Sequence, residues 1–168
     1  MIKSLIAILF SAALAPALIG QTAAQMETIR AEVNLINKSA AKYQKKTKNV
    51  DDISLEGTEA TYFTSGRDLR KITAEIFGET YRASAEIYYS GEEVIFAYQK
   101  LERYDTHIAM NAPPKVVSVM ETRVYFGGAK AVRVMDGKTI VSASVPRFAE
   151  AETEVKELAE KLKNAYLN

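Results

Sequence analysis

Asp105 and His107 sit two positions apart in a stretch closed by Pro113-Pro114, and an aspartate beside an imidazole is the beginning of a general base. His107 is the only histidine, and the chain has no cysteine. A hydrolase of the Ser/His/Asp kind also needs a serine nucleophile on a strained turn, and no Gly-x-Ser-x-Gly stands in the sequence. One histidine provides neither the four ligands of a structural zinc nor the three of a catalytic one. The acidic groups Asp51-Asp52, Glu92-Glu93 and Glu150/Glu152/Glu154 lack the spaced oxygens and the glycine of a calcium loop. They read as a helix boundary, a hairpin edge and a helix start. Two acids brought together by the fold could cleave a glycoside, yet nothing singles out a pair. The expectation is a non-enzymatic chain with no catalytic residue, no cofactor and no metal site.

A repeated phrase is more informative. Tyr88 to Tyr98 reads YYSGEEVIFAY, Tyr125 to Met135 reads YFGGAKAVRVM, and Tyr62 to Ile72 reads YFTSGRDLRKI. Each has two aromatics, a glycine-bearing turn and a return strand, which is a β-hairpin unit. The second and third copies align residue for residue, Tyr88 with Tyr125 and Gly91 with Gly128. The first carries one more residue before Gly66, which predicts a three-residue loop or a bulge there. The pattern resembles exported bacterial proteins with Tyr-aromatic-turn-Gly hairpins, and is similar, more loosely, to the MORN-type repeat. It departs from a MORN array in its unequal spacing, 26 and then 37 residues between the tyrosines. The resemblance implies stacked hairpins and no particular activity.

The elements around the hairpins follow from periodicity. Met26, Ile29, Val33, Ile36, Ala40 and Tyr43 form one helical stripe, and Lys42, Lys45, Lys46 and Lys48 suit the negative end of a helix dipole, which predicts a helix over 26–48. From about 55 to 142 the period is two, with turns at Ser65-Gly66, Gly78, Ser90-Gly91, Gly127-Gly128 and Asp136-Gly137. Phe148, Ala151, Val155, Leu158, Leu162 and Ala165 make a second stripe over 146–166, with Pro146 in the first turn and Ser144 as its cap. Glu152/Lys156 and Glu157/Lys161 brace its outer face. The fold expected is α+β: a single domain over 25–168 with an antiparallel, meander-like curved sheet of about seven strands, flanked by an N-terminal and a C-terminal amphipathic helix.

Alternation assigns faces. Tyr81, Ala83, Ala85, Ile87 and Tyr89 share the core face of their strand, and Tyr88 falls on the other with Glu86. Tyr125 shares its face with Arg123 and Glu121. Tyr88, Tyr125, Arg123 and Glu86 are thus expected together on a wetter face, either as a recognition surface or as cross-strand pairs that stabilise a half-exposed sheet.

The N-terminus carries Lys3, an apolar run from Leu5 to Ile19 broken by Pro16, and Thr22-Ala23-Ala24. This is the layout of a signal peptide over 1–24, cleaved after Ala24, and it places the chain in the periplasm or outside the cell. No cysteine means no lipid anchor at the cleavage site and no disulfide. Of 22 basic residues Lys3 is lost, leaving 21 against 21 acidic, a balance that argues against nucleic acid as a partner. No membrane-spanning segment is expected after processing, although the Lys42–Lys48 run offers contact with anionic lipid. The function expected is an interaction or accessory protein that binds another envelope protein through its sheet or its 105–115 loop. The alternative is a carrier whose small residues Ala83, Ala85, Ala97, Ala129 and Ala131 leave room for a small apolar ligand.

Overall fold

The computed structural model describes residues 15–107 and 114–168. The lysine and early apolar run of the expected signal peptide, and Pro113, lie outside the described residues. Helix α1 (Ala15–Ser39) ends in one 3-10 turn, Ala40–Lys42, and is followed by β1 (Gln44–Asn49), β2 (Thr58–Ser65), β3 (Asp68–Gly78) and β4 (Tyr81–Ser90). Then come β5 (Glu93–Tyr104), β6 (Val116–Gly127), β7 (Lys130–Asp136), β8 (Thr139–Val141) and α2 (Pro146–Leu167). The strands pair in sequence order in one eight-stranded antiparallel sheet. The expected α+β meander between two helices is what the chain forms, with one strand more than the seven counted.

The additional strand is β1. The lysines of Gln44–Lys48 are expected at the end of the first helix, because lysines suit a helix C-terminus. Instead α1 stops at Ser39, and Lys45, Lys46 and Lys48 lie on an outer strand paired only with β2. Both faces of so short an outer strand are mostly exposed, so it shows no apolar alternation for a sequence reading to detect. Around α2, Pro146 does take the first turn, but Val145 is the cap residue and no side chain caps the helix. The Ser144 hydroxyl pairs with that of Ser142 instead.

The three repeats are three hairpins of one geometry. Their turns are two residues long in every copy: Gly66-Arg67, Gly91-Glu92 and Gly128-Ala129. The leading glycines have φ of 62°, 59° and 70°, the conformation glycine adopts without steric cost. The longer loop expected in the first copy is absent, because Phe63, and not Tyr62, holds the place of Tyr88 and Tyr125. Two pairs in from each turn the return strand carries one extra residue, Arg70, Ile95 or Val132. These are β-bulges, which leave one residue unpaired and sharpen the local twist. Gly78 ends β3 without a positive φ and lies against the Tyr81 ring.

Each face of the sheet has its own core. On one, Ala60, Tyr62, Ile72, Ala74, Ala85, Ile87, Tyr89, Ala97, Val124, Phe126 and Val134 meet Ala151, Val155, Ala159 and Leu162 of α2. Ala60, Ala74 and Ala85 are partners across adjacent strands, a row of short side chains facing a helix that also presents alanines. The room those residues leave is taken up by α2. The Tyr62 hydroxyl donates to the Leu162 carbonyl at 2.9 Å, fixing the helix over the sheet. On the other face Met26, Ile29 and Ile36 of α1 cover Tyr88, Phe96 and Tyr125. The bulge residues Ile95 and Val132 pack into this second cluster, and Arg70 forms an ion pair with Glu32 of α1.

Candidate functional site

The residues singled out from the sequence do share one face. Tyr88 pairs across the sheet with Phe96, Phe96 with Tyr125, Tyr98 with Glu86, and Tyr98 with Arg123. The ring centroids of Tyr88, Phe96 and Tyr125 follow one another at 5.6 and 4.7 Å. That face is not wet at the tyrosines: Tyr88 is 2 % and Tyr125 7 % exposed, because α1 lies on them. Alternation along a strand assigns a residue to a face but not what covers the face.

The polar partners are equally engaged. Lys71 Nζ donates to the Glu86 carboxylate at 2.7 Å and to Asn37 Oδ1 of α1 at 3.1 Å. The Tyr88 hydroxyl donates to Glu86 and stands 3.0 Å from the same Asn37 oxygen. Burial opposes charge on both members of the ion pair, yet their mutual hydrogen bond and those to Tyr88 prevail. The Glu86 pKa ends below its ordinary value and that of Lys71 above. Burial, reinforced by Glu86, raises the Tyr88 pKa. Arg123 donates to Glu121 at 2.8 Å and to the Gly137 carbonyl at 3.0 Å, with its guanidinium 4.9 Å from the Tyr98 ring centroid. Tyr88, Tyr125, Arg123 and Glu86 therefore fasten α1 and the β7–β8 turn to the sheet. Asp105 and His107 are not a pair: Asp105 accepts the Lys115 N–H at 2.9 Å, while His107 Nδ1 lies 3.6 Å from Glu79.

The exposed apolar surface lies elsewhere, at the start of β6. There β5 pairs with Val116 to Tyr125, whereas β7 pairs only with Thr122 to Gly127. Among the described residues the outer edge from Val116 to Met120 has no strand beside it. Val116, Val117, Val119 and Met120 are 49, 62, 51 and 50 % exposed. The Gly137 N–H donates to the Glu121 carbonyl at 2.7 Å, so the Glu121 backbone faces away from β5. With the two-residue period of a strand, the backbone of Val119 faces the same open side. Protein-family models, curated proteins and solved structures contain no match to this chain.

Where β7 leaves β6, a notch of about 570 Å³ is lined by Val119, Met120, Glu121, Asp136 and Gly137. Inward from Met120 the register continues through Leu101, Ala83 and Ile76, which are half-buried, so the apolar edge runs into an apolar row beyond α2. Val117 is itself a bulge residue, opposite the step from Arg103 to Tyr104. The sequence carried a signal for this region, since Val-Val-Ser-Val-Met begins a strand with apolar residues on both faces. Among the described residues no cluster of three or more metal-ligating side chains occurs, and no helix is long and apolar enough to cross a membrane.

Proposed function

We propose that this chain is an exported, non-enzymatic interaction module of the bacterial envelope that binds protein through the open edge of β6. The observation that carries the reading is the run Val116–Met120, uncharged, exposed and, among the described residues, without a neighbouring strand on its outer side. An edge with free N–H and C=O groups is a template for strand addition, in which main-chain bonds give affinity and alternate side chains give selectivity. The other edges among the described residues are protected: β1 presents Lys45, Lys46 and Lys48, β8 is three residues long, and on β7 beyond the reach of β8 the Ala131 N–H is already bonded to Glu152 of α2. Export through the 1–24 segment, with a periplasmic location, belongs to the same proposal and rests on the N-terminal sequence pattern. The carrier alternative loses support because, of the alanines that suggested spare volume, Ala85, Ala97 and Ala131 belong to the cluster under α2 and Ala129 lies in an exposed turn.

The test is site-directed photocrosslinking in the producing cell, with benzoylphenylalanine at Val119 and, separately, at Lys46 on the β1 edge. A discrete covalent adduct from position 119, lost when Val117 and Met120 are both changed to lysine, is the expected result. Equal labelling from both edges, or none from position 119, would overturn the proposal.

A further inference from the structure

We infer that the mature chain carries a modified first residue: Gln25, once freed as the amino terminus, closes on itself to pyroglutamate, and this uncharged end holds the first turn of α1. The inference rests on the export reading above, with cleavage after Ala24. A cut there falls within α1, where Ala23 and Ala24 are exposed, and makes Gln25 the first residue of the helix. The new terminus is not free to fray. Met26, the next residue, is 2 % exposed and shares a cluster with Tyr88, Phe96 and Tyr125. Gln25 itself is half-buried, with its side-chain amide beside Gly127 at the β6–β7 hairpin. An α-ammonium on Gln25 would therefore be held at the positive end of the helix, where a cation is disfavoured.

Ring closure removes that charge and needs nothing from outside the residue. An α-amine titrates near about 8, so part of it is neutral and nucleophilic at physiological pH. The α-nitrogen attacks Cδ of its own side chain. The N–Cδ bond forms, the Cδ–Nε2 bond breaks, and Nε2 leaves as ammonia with the proton given up by the amine. No oxidant or reductant takes part. Amine and amide belong to one residue, at the spacing that closes a five-membered ring, so the step is intramolecular. The lactam is uncharged, and its ring restrains φ as that of proline does, which suits the first helical position. Glu27 is then the one charged side chain of the turn Gln25–Thr28, of the sign that this end of a helix favours.

The test is intact-mass and terminal-peptide mass spectrometry of the protein from freshly lysed producing cells, with hydrogen exchange as a second readout. The expected chain begins at residue 25 and is lighter than unmodified Gln25–Asn168 by one ammonia. Gln25→Asn keeps an amide but is one carbon too short for the five-membered ring, and is expected to retain its amine and its full mass. Exchange in the first turn of α1 should be about two- to fivefold faster in that variant, with the central strands unchanged. A chain that begins at residue 25 with a free amine overturns the inference and leaves the export reading standing. A chain that begins elsewhere, or that retains residues 1–24, overturns both. Equal exchange in parent and variant overturns the part given to the ring in holding the helix.

Discussion

The two faces of the sheet solve one problem by different means. Beneath α2 the larger cluster combines alanines and branched side chains with Tyr62, Tyr89 and Phe126, and the Tyr62 hydroxyl bonds the Leu162 carbonyl within it. Bonds from Lys48 to the Ala165 carbonyl, from the Ala131 N–H to Glu152 and from Arg147 to Asp136 join helix and sheet besides. Beneath α1 the three aromatic rings are ringed by Lys71, Glu86, Asn37, Arg70 and Glu32, and bulge residues supply additional side chains on the helix side. Apolar burial is non-directional, whereas hydrogen bonds and ion pairs fix geometry. The α2 layer, with the larger buried cluster, is accordingly expected to be the main source of stability, while α1 has few apolar anchors and relies more on Asn37 and Glu32 to set its position.

The contrast is open to direct challenge. Leu162→Ala, which empties a fully buried site under α2, is expected to cost about 2–5 kcal/mol of global stability, measured by urea unfolding. Ile36→Ala under α1 should instead release α1 as a local unit. Hydrogen exchange would show protection lost in α1 while the central strands keep theirs; equal loss in both would erase the distinction. Tyr88→Phe removes the hydroxyl that faces Glu86 and Asn37, and a loss of about 1 kcal/mol is expected. The smallest effect is one of acidity. Because the Glu86 pKa is depressed in the folded protein, its contribution is present above the ordinary carboxylate range and fades as pH falls through the folded value. Glu86→Gln should flatten that acid limb of the unfolding midpoint.

Much of this architecture was legible in the chain. Period-two alternation located the strands, the glycines located the hairpin turns, and the 146–166 stripe located α2. What escaped did so for physical reasons. A bulge adds one residue without changing composition, so Arg70, Ile95 and Val132 looked like ordinary strand positions, and matching Tyr62 to Tyr88 displaced the first repeat by one. The lysines of β1 fit a helix end and an unpaired strand edge equally well, because both favour solvated cations. The wet face expected for Tyr88 and Tyr125 failed because a helix from a distant part of the sequence lies over it. The β6 edge is only half legible: Val-Val-Ser-Val-Met shows apolar residues on both faces, but its exposure depends on how far β7 extends, which is a matter of strand length and not of residue type.

The strand order has a consequence for how the chain acquires its form. Every strand pairs with the one made just before it, so each pairing closes only a short loop and the contacts within the sheet are local in sequence. Such topologies lie toward the fast end of the range for sheet proteins, since little loop entropy is lost before pairing is rewarded. Hairpins can zip in succession as the chain emerges from whatever conduit delivers it. Only the last step, the seating of α2 against strands a hundred residues or more away, as in the Tyr62–Leu162 and Lys48–Ala165 bonds, waits for the C-terminus.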